Sequence, residues 1–227
     1  MNVTELTVLY NGAIVGKLAE VERGVIAFKY SDFWIKNGFS ISPFSLPLDE
    51  KIYVTDKTIF DGLYGVFWDT LPDGWGELLV KRTLAKRGIN YDRLTPLTKL
   101  SIIGDKGLGG LAYEPATVTG EEGEATLDEL AAEANKVLAN SSADLDVLYR
   151  YGGASGGARP KAHVNIDGEE WIVKFPCAID PVDVGVEEYE ANETAARCGI
   201  NINDHRLFPS AVCKGYFGAK RFDRDGD

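Results

Sequence analysis

Alternating hydrophobic and polar positions near the start of the chain predict a β-sheet. Residues 6–10 alternate as a strand does, Asn11-Gly12 follows, and residues 13–18 repeat the pattern. An Asn-Gly pair between two such runs is a strong signal for a hairpin turn. Residues 25–30 predict a further strand, and the aromatic segment 60–72 is expected to pack beneath the sheet.

Helical spacing of apolar residues indicates three helices in the middle of the chain. The first begins near Asp73 and runs through residues 77–87, with basic residues in its last turn and a glycine after it. A second, shorter helix covers residues 95–103. In the third, Thr126 and Glu129 form a predicted capping box. The inward face of this third helix is predicted to carry Leu127, Leu130, Ala131, Ala134 and Leu138.

The second half of the chain reads as a glycine-rich loop, two hairpins and a helix. The predicted elements are a loop at 152–161, strands at 162–166 and 171–175, a helix at 187–198, and strands at 210–214 and 217–222. This order matches the small lobe of a protein kinase.

A change of composition divides the chain. Between residues 118 and 142 the sequence shifts to Glu, Gly, Ala and Ser, and residues 119–124 are expected to be a solvated linker. We therefore predict an α+β fold with three parts. These are a β-rich N-terminal domain with helices at 1–118, a linker and helix at 119–142, and a kinase-like small lobe of antiparallel sheet plus helix at 143–227.

Charge and composition exclude several classes of function. The net charge of −11 argues against non-specific binding to nucleic acid, which relies on Lys and Arg to neutralise phosphates. No apolar run reaches about 18 residues, so no membrane partner is expected, and the N-terminus lacks the pattern of a secretory signal. Three cysteines without CxxC spacing and two isolated histidines predict free thiols in a cytoplasmic protein and no metal site.

The glycine-rich loop carries the candidate chemistry. Four glycines among residues 152–161 leave backbone N–H groups open to phosphate without hindrance from a Cβ atom. Lys161 and Lys174 add positive charge, and a carboxylate among residues 187–193 is available to hold Lys174. The spacing matches neither GxxxxGK[ST] nor GxGxxG. Nucleotide binding and a flexible turn beside an edge-strand lysine therefore both remain open.

The chain resembles the HipA-like toxin kinases across essentially its whole length. In the first half the matching segments are 8–12, 15–18, 28–30, 40–42, 45–48, 69–73, 100–105 and 109–115. In the second half they are GGARPK at 156–161, WIVKFP at 171–176, Glu188 in a helix that ends at Gly199-Ile200, and RFDR at 221–224. Many motifs in one order make this resemblance far more specific than any motif alone.

The resemblance implies a serine/threonine protein kinase that uses ATP and Mg²⁺ and is the toxin of a bacterial toxin–antitoxin pair. Lys174 would pair with the α- and β-phosphates and be held by Glu188, and residues 220–223 would contact adenosine. The implied ATP-binding residues are Ala154, Ser155, Gly156, Gly157, Ala158, Arg159, Lys161, Lys174, Glu188, Lys220, Phe222 and Asp223. Relatives are inactivated by autophosphorylation of a loop serine. Alignment on Lys161 puts Ala154 at that position, so the neighbouring Ser155 is the candidate for autophosphorylation.

The resemblance also implies partners and a substrate. The antitoxin would be a small helix-turn-helix repressor that makes the DNA contacts, and the family's known target is an aminoacyl-tRNA synthetase. A kinase needs a catalytic aspartate, a nearby asparagine and a second, Mg²⁺-binding aspartate, which this family places well beyond the RFDR-like segment. The chain is therefore predicted to contain no catalytic residue and no metal ligand, and to be the N-terminal part of a longer kinase. The alternative is a non-catalytic module that docks an antitoxin or a separate kinase half.

Overall fold

The computed structural model describes residues 2–56, 59–117, 124–153 and 155–223. The strands are β1 (Glu5–Tyr10), β2 (Ala13–Glu22), β3 (Val25–Tyr30), β4 (Tyr53–Val54), β5 (Leu111–Glu114), β6 (Lys161–Ile166), β7 (Glu169–Lys174), β8 (His205–Phe208) and β9 (Tyr216–Lys220). The α-helices are α1 (Asp32–Asn37), α2 (Gly65–Trp68), α3 (Gly74–Lys86), α4 (Pro96–Ile103), α5 (Leu127–Leu138), α6 (Leu145–Gly152) and α7 (Val184–Arg197). The predicted α+β class is confirmed. Within the described ranges, no helix combines the length and the apolar character needed to cross a membrane.

The chain divides into two compact units, Met1–Pro72 with Arg87–Thr119 and Asp73–Lys86 with Gly120–Asp227. Helix α3 therefore belongs to the second unit, whereas the sequence-based division included it in the domain at 1–118. Packing is the reason, because Trp75 and Leu79 of α3 are buried in the same hydrophobic core as Val173 of β7. The predicted linker at 119–124 lies outside the described residues, except for its last residue.

The first unit is built on a five-stranded antiparallel sheet in the order β4-β3-β2-β1-β5. The predicted hairpin is confirmed, since Asn11 and Gly12 have φ angles of 46° and 73°, the left-handed values that a two-residue type I′ turn requires. The aromatic segment contributes Phe67, whose buried ring lies 5.2 Å from that of Phe28 on β3. Phe60, in the same segment, is instead 47% exposed.

The second unit is built on a four-stranded antiparallel sheet in the order β6-β7-β9-β8. Strands β6 and β7 and helix α7 confirm the elements predicted at 162–166, 171–175 and 187–198, with ends that shift by up to three residues. Side chains from α3, α5, α6 and the sheet share one core, which includes Leu79, Leu130, Ala134, Leu148, Val164, Val173 and Tyr216.

Helix α5 confirms the predicted capping box and corrects one residue of its inward face. The N–H of Thr126 donates to Glu129 Oε2 at 2.8 Å, and the N–H of Glu129 donates to Thr126 Oγ1 at 3.3 Å. The prediction for Leu138 was wrong, because its side chain is 38% exposed while Val137 is fully buried. Val137 follows Ala134 by three residues, and this helical spacing turns its side chain inward.

One further prediction is wrong, and one helix was not predicted. The strand predicted at 210–214 is wrong, because β8 at His205–Phe208 is the strand that pairs with β9. Ser210 instead begins a turn in which its Oγ accepts hydrogen bonds from the N–H groups of Val212 and Cys213, at 3.0 and 3.2 Å. Such local side-chain bonds compete with strand formation. Helix α6, which sequence patterns did not predict, takes the first glycine of the loop as its last residue.

Candidate functional site

The glycine-rich loop runs from the end of α6 to the start of β6. Ser155 folds the first part of the loop back on the helix, since its N–H and its hydroxyl both donate to the carbonyl of Gly152, at 3.0 and 2.6 Å. The Ser155 side chain is fully buried. Its neighbour Ala154, predicted to contact ATP, lies outside the described residues.

The start of α3 meets this loop at Gly157. The carboxylate of Asp73 accepts a hydrogen bond from the N–H of Gly157, and the N–H of Trp75 donates to the carbonyl of Gly157 at 2.8 Å. The indole N–H of Trp75 also donates to the carbonyl of Lys161 at 3.2 Å. Sequence reasoning missed Asp73 as a site residue, because 84 positions separate it from Gly157 and no local pattern connects them.

Two lysines lie side by side under the loop. Lys161 and Lys174 are direct partners in the antiparallel pairing of β6 and β7, so both side chains leave the same face of the sheet. The ammonium of Lys174 binds the carboxylate of Glu188 on α7. The ammonium of Lys161 donates to the carbonyl of Gly156. The predicted residues Gly156, Gly157, Lys161, Lys174 and Glu188 are therefore brought together.

The surroundings of Lys161 shift its titration. Burial lowers the pKa of its ammonium, and the positive charge of Lys174 lowers it further, while Asp73 and Glu188 oppose the shift. Both lowering effects penalise the charged form of Lys161. An anion placed against the two lysines would remove the repulsive part of this penalty.

Arg159 and Lys220 do not contribute free charge to this cluster. The guanidinium of Arg159 binds both carboxylate oxygens of Asp180, at 2.6 and 3.0 Å. The pKa of Asp180 is lowered chiefly by the N–H of Cys177, with Arg159 adding to the effect. Lys220 pairs with Trp171, about 10 Å along β7 from Lys174, and its ammonium binds Glu169 at 2.5 Å.

The segment after β9 holds the remaining predicted contacts. Arg221 is almost fully buried, and its guanidinium binds the carboxylate of Asp223 at 2.9 and 2.6 Å. The N–H of Arg221 donates to the carbonyl of Glu170 at 2.8 Å, which ties this segment to β7. The ring of Phe222 is 84% exposed. Phe222 and Asp223 thus lie beyond the end of β9 and outside the lysine cluster.

Residues 6–114 match the family of the HipA N-terminal domain, and residues 153–227 match that of the HipA-like C-terminal domain. The chain belongs to the HipA-like family. Both the lysine cluster and its loop fall within the second match.

A solved structure shares the fold of this HipA-like chain. It is HipA of Shewanella oneidensis MR-1 in complex with HipB and its operator DNA, with a TM-score of 0.63 and 18% sequence identity. The match covers 97% of this chain and 51% of that chain, so the HipA-like chain spans about half the length of its structural relative. At this identity the likeness shows the fold alone. No curated protein matched the chain.

The donors of the site fit a phosphate-bearing ligand. Two ammonium groups lie on one face of the sheet, beside a loop in which the N–H groups of Gly156 and Ala158 have no acceptor among the described residues. These donors match the negative charge and acceptor oxygens of phosphate. Among the described residues, no three or more His, Cys, Asp or Glu side chains are placed to hold a metal ion.

Proposed function

We propose that this HipA-like protein binds the phosphates of ATP as the N-terminal part of a serine/threonine protein kinase. The observation that carries the proposal is the direct pairing of Lys161 with Lys174 across β6 and β7. Like charges directly opposite each other destabilise a sheet, so this arrangement costs stability unless an anion occupies the face. Glu188 binds Lys174 directly, whereas the ammonium of Lys161 binds the neutral carbonyl of Gly156. The charges of Asp73 and Glu188 offset the lowering of the Lys161 pKa only in part.

Each residue of the cluster has a role in this proposal. Lys174, held by Glu188, would bind the phosphate oxygens nearest the adenosine, as the strand lysine and helix glutamate do in protein kinases. Lys161 and the N–H groups of Gly156 and Ala158 would bind the outer phosphates, with Gly157 held between them by α3. Residues 220–223, at the end of β9, would contact the adenosine. ATP would bring Mg²⁺, which neutralises the charge that develops on the phosphates.

Phosphate transfer and its protein substrate are proposals for the whole protein, because the chain spans about half of its structural relative. The resemblance to HipA-like kinases favours an aminoacyl-tRNA synthetase as the class of substrate. Ser155 stays a candidate for autophosphorylation. Its hydroxyl is buried against Gly152, so the loop would have to open before a kinase reached it.

An antitoxin of the repressor class is the partner that we propose. The structural relative was solved with HipB and operator DNA. A net charge of −11 disfavours direct contact with DNA and favours a basic DNA-binding protein, by electrostatic complementarity. If ATP binding is absent, docking such a partner without catalysis is the alternative function.

Calorimetric titration with ATP and Mg²⁺ tests the proposal. We expect wild-type binding that Lys174→Ala weakens at least about tenfold, as the loss of one charge-assisted contact predicts. Lys136→Ala is the matched control, because Lys136 is a half-exposed lysine of the same unit, paired with Glu133. No binding by the wild type, together with salt-sensitive retention by the cognate repressor, would replace the kinase proposal with the docking module.

A further inference from the structure

The start of α3 holds the glycine-rich loop by both backbone polar groups of one loop residue, Gly157. Asp73 accepts from the N–H of Gly157, and Trp75 donates to its carbonyl at 2.8 Å. The carbonyl of Asp73 also accepts from the N–H of Glu77 at 3.3 Å, so the same residue starts the helix. The loop therefore rests on the first turn of a helix that Trp75 and Leu79 fix in the core.

Gly74 lets the two backbones approach. Its φ of +46° lies in the left-handed region, and a Cβ added there would lie 2.5 Å from the carbonyl oxygen of Gly157 and 2.6 Å from its carbonyl carbon. Any other side chain would push the loop away from α3. The sequence Asp73-Gly74-Trp75 thus provides an acceptor, a space and a donor in succession.

The hydrogen bonds to Asp73 and Trp75 fix Gly157 and leave the N–H groups of its two neighbours available to a ligand. In the described part of the chain, the N–H groups of Gly156 and Ala158 have no hydrogen-bond acceptor, while Lys161 holds the Gly156 carbonyl from below. A glycine-rich loop otherwise loses much conformational freedom when it binds a ligand. A loop that is already held pays less of that cost.

We infer that Asp73, Gly74 and Trp75 form a clamp that presets the glycine-rich loop for phosphate. Asp73 is a positioning residue, because it acts on the ligand through the loop backbone. The inference rests on the proposed ATP binding and adds a residue that the family resemblance did not assign. The negative charge of Asp73 also lies near Lys161, where it opposes the lowering of the pKa of the Lys161 ammonium.

Two substitutions of Asp73 distinguish the effect of its hydrogen bond to the loop from the effect of its negative charge. Asp73→Ala removes the acceptor of the Gly157 N–H, whereas Asp73→Asn keeps an oxygen acceptor and removes the charge. Glu77→Gln is the matched control, since Glu77 lies in the first turn of the same helix and pairs with Lys81 away from the loop. Amide hydrogen exchange of peptides spanning 153–160, without nucleotide, reports on the loop. Calorimetry with ATP and Mg²⁺ reports on the affinity of each variant for ATP.

We expect Asp73→Ala to speed exchange in the loop and to weaken ATP binding about tenfold, as the loss of the hydrogen bond that holds the loop predicts. The ATP affinity of Asp73→Asn should stay within about threefold of the wild-type value, and the affinity of Glu77→Gln should equal the wild-type value. Peptides from β8 and β9 serve as the folding check in the same spectra.

Three results would overturn the inference. Equal or tighter ATP binding by Asp73→Ala, beside a binding wild type, would mean that Asp73 does not support phosphate binding. Faster exchange throughout the second unit would make Asp73 a structural residue only. Absence of ATP binding by the wild type itself would overturn the proposed function and the inference with it, and this failure is distinct because it appears before any substitution.

Discussion

Replacing Glu188 by glutamine removes the carboxylate that holds Lys174 while it preserves the size of the side chain. Lys174 would then face Lys161 across β6 and β7 without its fixed counter-charge. Replacing Lys174 by methionine removes the same ion pair but also removes the repulsion between the two lysines. Glu188→Gln should therefore destabilise the sheet more than Lys174→Met does.

The exposure of Lys174 and Glu188 sets the expected coupling free energy between them. Exposed ion pairs contribute about 0.2–1 kcal/mol, and removing one partner of a buried pair costs about 3–5 kcal/mol. The side chains of Lys174 and Glu188 are 37% and 34% exposed, so we expect a coupling near the upper end of the exposed range, about 1 kcal/mol. Repulsion between directly opposed lysines adds roughly 0.2–1 kcal/mol to the cost of Glu188→Gln.

A double-mutant cycle with Lys174→Met, Glu188→Gln and both together measures this coupling. The assay is amide hydrogen exchange of β6 and β7 peptides in low urea at neutral pH, because it reports on the second unit separately. Glu190→Gln, an exposed glutamate on the same helix, is the control. A coupling near zero would refute the ion pair. A Lys174→Met variant that is as unstable as Glu188→Gln would refute the repulsion between the lysines.

Three further results are expected. Phe67→Ala should destabilise the first unit by about 3–5 kcal/mol in urea unfolding, because its fully buried ring leaves a cavity. The pKa of Asp128 is lowered in the fold, chiefly by the N–H of Ala211. Its contribution is thus present above its unfolded pKa, near about 4, and is lost as pH falls through the lower folded value. Asp128→Asn should therefore flatten the acid side of the melting temperature plotted against pH. With a separate active kinase added, Ser155 should gain phosphate faster in the Asp73→Ala protein than in the wild type, as mass spectrometry would show, because its hydroxyl is buried in the held loop. Equal rates of Ser155 phosphorylation in the two proteins would contradict this expectation.

Elements with local signals were predicted well. The Asn11-Gly12 turn and the Thr126 capping box each depend on residues within four positions of one another, and the structure has both. Helix α6 was missed because its last residue and the next are glycines, which sequence patterns assign to a loop. Its apolar face packs on α3 and β6, and such tertiary contacts override local preference.

The site itself depends on contacts between distant residues. Lys174 and Glu188 are 14 positions apart, and the family resemblance paired them correctly although spacing alone left four glutamates open. The turn at Ser210 is held by Asp128, 82 positions earlier, so its β-like composition misled the prediction of a strand at 210–214. Asp73 and Gly157 are joined across 84 positions. A residue that serves a site only through another residue's backbone leaves no chemical motif in the sequence. The clamp therefore becomes visible only once α3 is known to pack beside the glycine-rich loop.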